Sequence, residues 1–195
     1  PGGHSSRARR ISLFDIDSRR PQPERGDSGM SVRLTVENQT RRCIDVPWLR
    51  QRLRHVMRLL GIREGAWSIT IIRDQPMAEL HLRTMRIAGT TDVLTFDLRD
   101  LAKGRGRKDR EGSAVDIDSV LCADEAARRA REMNVTLAEE LLLYAIHSLL
   151  HVQGYDDISP PRAKRMHARE DDLLQALGIG AIYGKPAAPR QRRRR

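Results

Sequence analysis

His147 and His151 stand four residues apart in a segment, Leu137 to Val152, whose apolar residues recur at helical spacing. On a helix, positions i and i+4 project from one face about 6 Å apart along the axis, so two imidazoles placed this way can share one metal ion. Gly154 then stops the helix and lets the chain turn back, and Asp156 and Asp157 follow at once. The pattern H-x3-H-x5-D offers two nitrogens and one carboxylate oxygen and leaves coordination positions for water. That is the open arrangement of a catalytic metal site rather than a closed structural one. A zinc protease of the H-E-x-x-H kind is disfavoured, because such a site needs a glutamate after the first histidine as general base and this sequence has Ser148. A structural zinc would draw mainly on cysteine, and neither Cys43 nor Cys122 is near in sequence. At least one of Asp156 and Asp157 is expected to cap the next helix, which opens at Ser159-Pro160-Pro161.

The elements that must hold these residues can be read from periodicity. Thr136 and Glu139 form a T-x-x-E capping box ahead of the histidine helix, whose apolar line is Leu137, Leu141, Tyr144, Ala145, Leu149 and Val152. Strands are expected around Val32–Val36, Trp67–Ile71 and Val115–Leu121, where apolar residues alternate with polar ones, and a short one over Val93, Leu94 and Phe96. Further helices are expected after Asp45 and Pro47, from about Met77 to Met85, from Asp124 to about Met133, and from Ser159 to about Leu177. Four strands interspersed with helices make an α+β or mixed-sheet α/β domain.

The 195 residues carry a net charge of +10, most of it at the ends. Residues 1–29 mix Ser, Arg, Gly and Pro without periodicity and read as a disordered basic extension, with Met30 as a plausible natural start. Residues 185–195 hold Lys185, Arg190 and Arg192 to Arg195 with no acid, a basic disordered tail. Between them lies one domain, residues 30–184, with an exposed basic loop over 103–110. Such basic segments attract phosphate backbones without reading sequence. No apolar run is long enough to span a bilayer and no apolar leader opens the chain, so a cytoplasmic protein with no membrane partner is expected.

The stretch HSLLHVQGYDD, residues 147–157, resembles the signature of the YbeY endoribonucleases, the bacterial rRNA maturation factors, written H-G-x-L-H-L-x-G-Y-D-H. Thr91-Asp92-Val93-Leu94-Thr95-Phe96 resembles that family's T-D-V-L-S-F, and Leu80-His81 stands where the family has Leu-Asn. Asp118 to Cys122 resembles a further family stretch, and Met166 and Glu170 fit its final helix, so the likeness runs from about Met30 to Ile182.

The resemblance implies an α+β fold with a small four-stranded mixed sheet and a helix carrying the metal-binding histidine pair. It implies zinc, held here by His147, His151 and Asp157, the last standing where the family has a third histidine. A two-histidine, one-carboxylate set also admits Fe(II) or Mn(II). The implied activity is metal-dependent cleavage of single-stranded RNA in maturation of the 16S rRNA 3′ end. The implied partners are 16S rRNA or its precursor and the small ribosomal subunit. The family has a functional arginine ahead of T-D-V-L-S-F, where this chain has Met85; the flanking Arg83 and Arg86 are the expected RNA contacts. No general base is assigned. The two departures keep a second reading open: a ribosome-assembly RNA-binding factor whose metal site is structural or vestigial. A two-histidine, one-carboxylate Fe(II) oxygenase needs many more strands than this chain offers.

Overall fold

The structure, a computed structural model, describes residues 31–99 and 114–183. The extension expected over 1–29, the tail over 185–195 and the basic 103–110 loop lie outside the described residues.

The alternating segments form strands β1 (Ser31–Asn38), β2 (Glu64–Ile72), β3 (Val93–Asp97) and β4 (Ala114–Cys122). Their order in the sheet is β1-β2-β4-β3; β1, β2 and β4 run parallel and β3 runs antiparallel to β4. This is the small mixed sheet of an α+β fold. Parallel neighbours need crossovers, and helix α1 (Val46–Leu59) makes the one between β1 and β2. Asp45 caps α1 by accepting a hydrogen bond from the Trp48 amide at 2.9 Å, with Pro47 in the first turn. Helix α2 (Asp74–Met85) follows β2, and α3 (Ala123–Met133), α4 (Leu137–Val152) and α5 (Pro160–Ala176) follow β4.

Helix α2 starts three residues before the position its apolar pattern suggests. The buried carboxylate of Asp124 accepts the Asp74 amide at 3.1 Å, which satisfies a donor that the first turn leaves free, and Pro76 is tolerated there.

One sheet face packs on α1 and α4, and α5 packs in turn on α4. Trp67, Ile69, Ile71, Ile117 and Leu121 meet Leu49, Leu53, Leu142 and Leu149 in the main core. The other face carries a smaller cluster of Ile72, Met77, Leu94 and Cys122 under α2. Period two makes both faces possible, because alternate residues of β4 serve opposite layers. Gly65 is the tight point of the sheet: its φ is +111° and a Cβ there would lie 1.7 Å from the Val115 carbonyl oxygen across the β2–β4 pair.

Ser119 is the polar exception on the main-core face of β4. Its hydroxyl accepts the Trp67 indole N–H at 2.9 Å and lies 2.6 Å from the Ser148 hydroxyl, which also accepts from Thr95 at 2.9 Å. Four buried or half-buried polar groups thereby satisfy one another and fasten α4 to β2, β3 and β4 beside His147.

Candidate metal centre

The capping box starts α4 as the sequence indicates: the Thr136 hydroxyl accepts from the Glu139 amide at 3.2 Å and the Glu139 carboxylate accepts from the Thr136 amide at 2.8 Å. At the far end Arg99 donates to the Val152 carbonyl at 3.2 Å and to the Ala114 carbonyl at 3.0 Å, while Asp97 holds its guanidinium at 2.8 and 2.9 Å. The histidines therefore sit on a helix clamped at its start, its middle and its last turn.

His147 and His151 turn towards each other, with their Nε2 atoms 2.9 Å apart. The partners of the two Nδ1 atoms decide what those Nε2 atoms carry. His151 Nδ1 lies 3.2 Å from the Tyr155 backbone carbonyl, which can only accept, so that Nδ1 bears the proton. His147 Nδ1 lies 2.7 Å from Oε1 of Glu170, a fully buried carboxylate on α5, and donates to it. In the neutral rings both Nε2 atoms then present lone pairs to the same small space. Two lone pairs at that distance repel unless a cation lies between or beside them. The donor set thus fits a metal ion, and it has the outer-sphere partners that such histidines use.

Asp157 completes the group. Its two carboxylate oxygens lie 3.9 Å from His147 Nε2 and from His151 Nε2 respectively, and the three potential ligand atoms fall within 4.8 Å of one another. Gly154, at φ +92°, makes the turn that returns the chain to the histidines, with the Tyr155 amide bonded to the Leu150 carbonyl at 3.0 Å. Asp156 goes elsewhere: it pairs with Arg162 in the first turn of α5 at 2.7 Å. The capping role expected for one of the two aspartates is not realised, since Ser159 occupies the N-cap of α5 and no side chain bonds that end. Pro160 and Pro161 remove two of the amides that a cap would satisfy.

A cleft of about 520 Å³ opens over the histidines, bordered by Met85, Asp92, Thr95 and Asp97. With Asp157 and Glu170 nearby, its fixed charge is negative, which suits a cation. Burial pushes the His147 pKa down, but the hydrogen bond and charge of Glu170, with the charges of Asp92 and Asp157, outweigh it and the net shift is upward. Arg83 and Arg86 are exposed at the end of α2, Arg86 in left-handed backbone at φ 60°, and neither borders the cleft; Met85 between them does.

Sequence reasoning missed the hydrogen-bond partners of the two histidines. Glu170 was legible only as a match to a final helix, although an acid in line with Met166, Leu173 and Leu174 on a buried stripe is itself a signal of a buried polar role. The Tyr155 carbonyl gives no such signal, because a backbone atom has no residue type.

The family described as Endoribonuclease YbeY matches residues 35–178. Proteins named Endoribonuclease YbeY are 37% identical over 130 residues in Corynebacterium kroppenstedtii (63% of this chain, 64% of that one) and 37% identical over 125 residues in Mycolicibacterium gilvum (63% and 70%). The one from Bifidobacterium adolescentis is 36% identical over 125 residues (62% and 68%). The chain thus spans a little under two thirds of the Corynebacterium relative. The solution structure of TM1509 from Thermotoga maritima is 20% identical and covers 82% of this chain and 99% of its own, with a TM-score of 0.48.

Proposed function

The chain belongs to the YbeY endoribonuclease family, and from that premise we propose that it is a metal-dependent endoribonuclease of single-stranded RNA. The observation that carries the reading is the convergence of two Nε2 lone pairs, 2.9 Å apart, beside the Asp157 carboxylate. Zinc held by His147, His151 and Asp157 would supply a Lewis acid for a phosphodiester oxygen and a nucleophile from water at neutral pH. Glu170 and the Tyr155 carbonyl keep both Nδ1 protons in place, so the ligand tautomers are set before any ion arrives. Asp157 adds one negative charge and makes the set acceptable to Fe(II) or Mn(II) as well. Arg83 and Arg86 bind backbone phosphates and bring the strand to the cleft. The substrate is rRNA, at the 3′ end of 16S rRNA or its precursor on the small ribosomal subunit, in the cytoplasm.

Met85 on the cleft wall supports a second reading, a ribosome-assembly factor that binds RNA without cutting it. End-labelled single-stranded and duplex RNA, incubated with the purified full chain before and after chelation and metal return, separates the two. The nuclease reading expects single-strand cleavage that chelation abolishes and His147→Ala does not support. Metal-replete protein that binds the RNA and leaves it whole selects the assembly factor.

A further inference from the structure

Helix α1 and the turn after it are rich in arginine and free of acid. Residues 46–63 hold Arg50, Arg52, Arg54, Arg58 and Arg63 and neither Asp nor Glu. The later helices are balanced: α3 carries three arginines against three acids, and α5 four cations against three acids. Leu49, Leu53, Val56 and Met57 face the core, so the arginines take the rest of the circumference of α1, where Arg54 is exposed and Arg50 and Arg52 are half-buried. Arg50 and Arg54 are like charges at i and i+4, an arrangement that weakens a helix. Neither has an ion-pair partner among the described residues, whereas Arg128, Arg129 and Arg162 are all paired at 2.6 to 2.8 Å.

The face is fixed in place. Arg52 lies over the Trp48 ring, 5.5 Å from its centre, and donates to the Leu177 carbonyl at 3.0 Å, which ties α1 to the end of α5. Helix α1 packs beside β1 at one edge of the sheet, and the metal cleft is bordered by β3 at the other. Helix α4 lies between them and touches both α1 and β3. One helix spacing, with the side chains on either flank, puts the outer arginines roughly 20 Å from the histidines. The cleft itself is bordered by Asp92 and Asp97 and, among the described residues, by no arginine or lysine. The positive charge that draws a polyanion to this domain therefore lies outside the cleft, and α1 supplies more of it than Arg83 and Arg86 do.

We propose that the outer face of α1 binds the phosphate backbone of a double-helical segment of RNA whose single-stranded neighbour enters the metal cleft. The inference rests on the nuclease reading above and adds to it the shape of the substrate, a stem adjoining a single strand. Two observations choose the duplex. A double helix crowds phosphates more densely than a single strand does, which suits a line of arginines from Arg50 to Arg58, about 12 Å along the helix. Surfaces that hold single strands offer aromatic rings to unstacked bases. The one aromatic ring on α1 is Trp48, half-buried and covered by Arg52. Guanidinium groups without such a platform hold backbone and not bases, which is how duplex RNA is bound. The face and the cleft lie on opposite flanks of α4, so one RNA can occupy both without competition between its stem and its strand.

The test uses the full-length, metal-loaded chain and three RNAs: a blunt duplex, a hairpin with a single-stranded tail, and the tail alone. Arg50→Gln with Arg54→Gln removes two charges and keeps good helix formers. Arg50→Glu with Arg54→Glu reverses the charges and provides a second variant should the first fold poorly. Affinity for the blunt duplex, read by calorimetry without any cleavage, should fall about tenfold in the Gln pair and further in the Glu pair. The slope of log affinity against log salt should shrink by about two. In cleavage, KM for the tailed hairpin should rise about tenfold with kcat unchanged, while KM for the tail alone should move by less than about twofold. Duplex affinity that survives both double substitutions overturns the proposal and leaves the face to an acidic protein surface. An equal rise in KM for hairpin and tail also overturns it, because the arginines then belong to the single-strand path. A parent chain that cuts the tail and binds no duplex overturns the stem site and leaves the nuclease reading standing. Duplex binding that needs Arg50 and Arg54, in a chain that cuts neither RNA, supports the stem site and overturns the nuclease reading instead.

Discussion

Glu170 on α5 accepts the Nδ1 proton of His147 on α4 at 2.7 Å, from a position with no exposure to solvent. The contact ties the orientation of a proposed metal ligand to the packing of the last helix. A carboxyl group buried this deeply is costly unless it is hydrogen-bonded, and the His147 ring supplies that bond.

The first expectation follows from that bond. Glu170→Gln keeps the volume and removes the charge. Metal affinity should fall about 10- to 100-fold while the far-ultraviolet spectrum is retained. Isothermal titration with zinc measures it, and an unchanged affinity would assign Glu170 to packing alone.

The hydroxyl chain offers a test of how α4 is held. Ser119→Ala leaves the buried Trp67 indole N–H without its acceptor and the Ser148 hydroxyl without one of its two neighbours. The cost should be about 1–3 kcal/mol in urea unfolding. A loss under a few tenths of a kcal/mol would show that the chain does not fasten the helix.

Much of this was legible in the sequence. Alternation marked β1, β2 and β4, a short apolar run marked β3, and Thr136 with Glu139 marked the start of the histidine helix, because capping and period-two burial are local rules. The sheet order was not legible, since pairing β2 with β4 depends on Gly65 approaching Val115 from far along the chain. Spacing placed His147 and His151 on one face, and the H-x3-H-x5-D pattern with the family resemblance pointed to Asp157; what the sequence did not show is where Asp156 goes. That depends on Arg162, in the first turn of the next helix, which pairs with Asp156. Glu140 escaped notice for a related reason: as an acid in the first turn of a helix it fits the dipole, and only the fold reveals that it is buried.

Glu140 also makes stability depend on pH. Its carboxyl, ordinarily near 4.5, is pushed up to about 7 by burial, the charges of Asp92 and Glu125 adding to the rise, and Arg129 and Tyr144 oppose it. Between those values the folded chain holds a proton that the unfolded chain releases, so stability falls as pH rises from about 4.5 through 7. Glu140→Gln removes this dependence. Its melting temperature should match the parent near pH 4.5 and exceed it at pH 8, by up to about 3 kcal/mol in stability. Equal melting at both pH values would mean that the carboxyl ionises without penalty.

Arg83 and Arg86 are exposed on the last turn and the cap of α2. Replacing both with Ala should weaken binding of single-stranded RNA and flatten its salt dependence, since phosphate contacts release counterions. The melting temperature should stay within a degree or two, as Arg86→Ala keeps a non-glycine residue in left-handed backbone. Unaltered RNA binding would remove the pair from the substrate path.

The central claim is that His147, His151 and Asp157 bind one ion. Metal analysis of the purified full chain and its single alanine variants tests this most directly. The account expects about one equivalent in the parent chain, almost none in His147→Ala and His151→Ala, and a reduced content in Asp157→Ala, all with the fold retained. A full equivalent kept by either histidine variant contradicts the ligand set, and a parent chain that takes up no divalent ion contradicts the account as a whole.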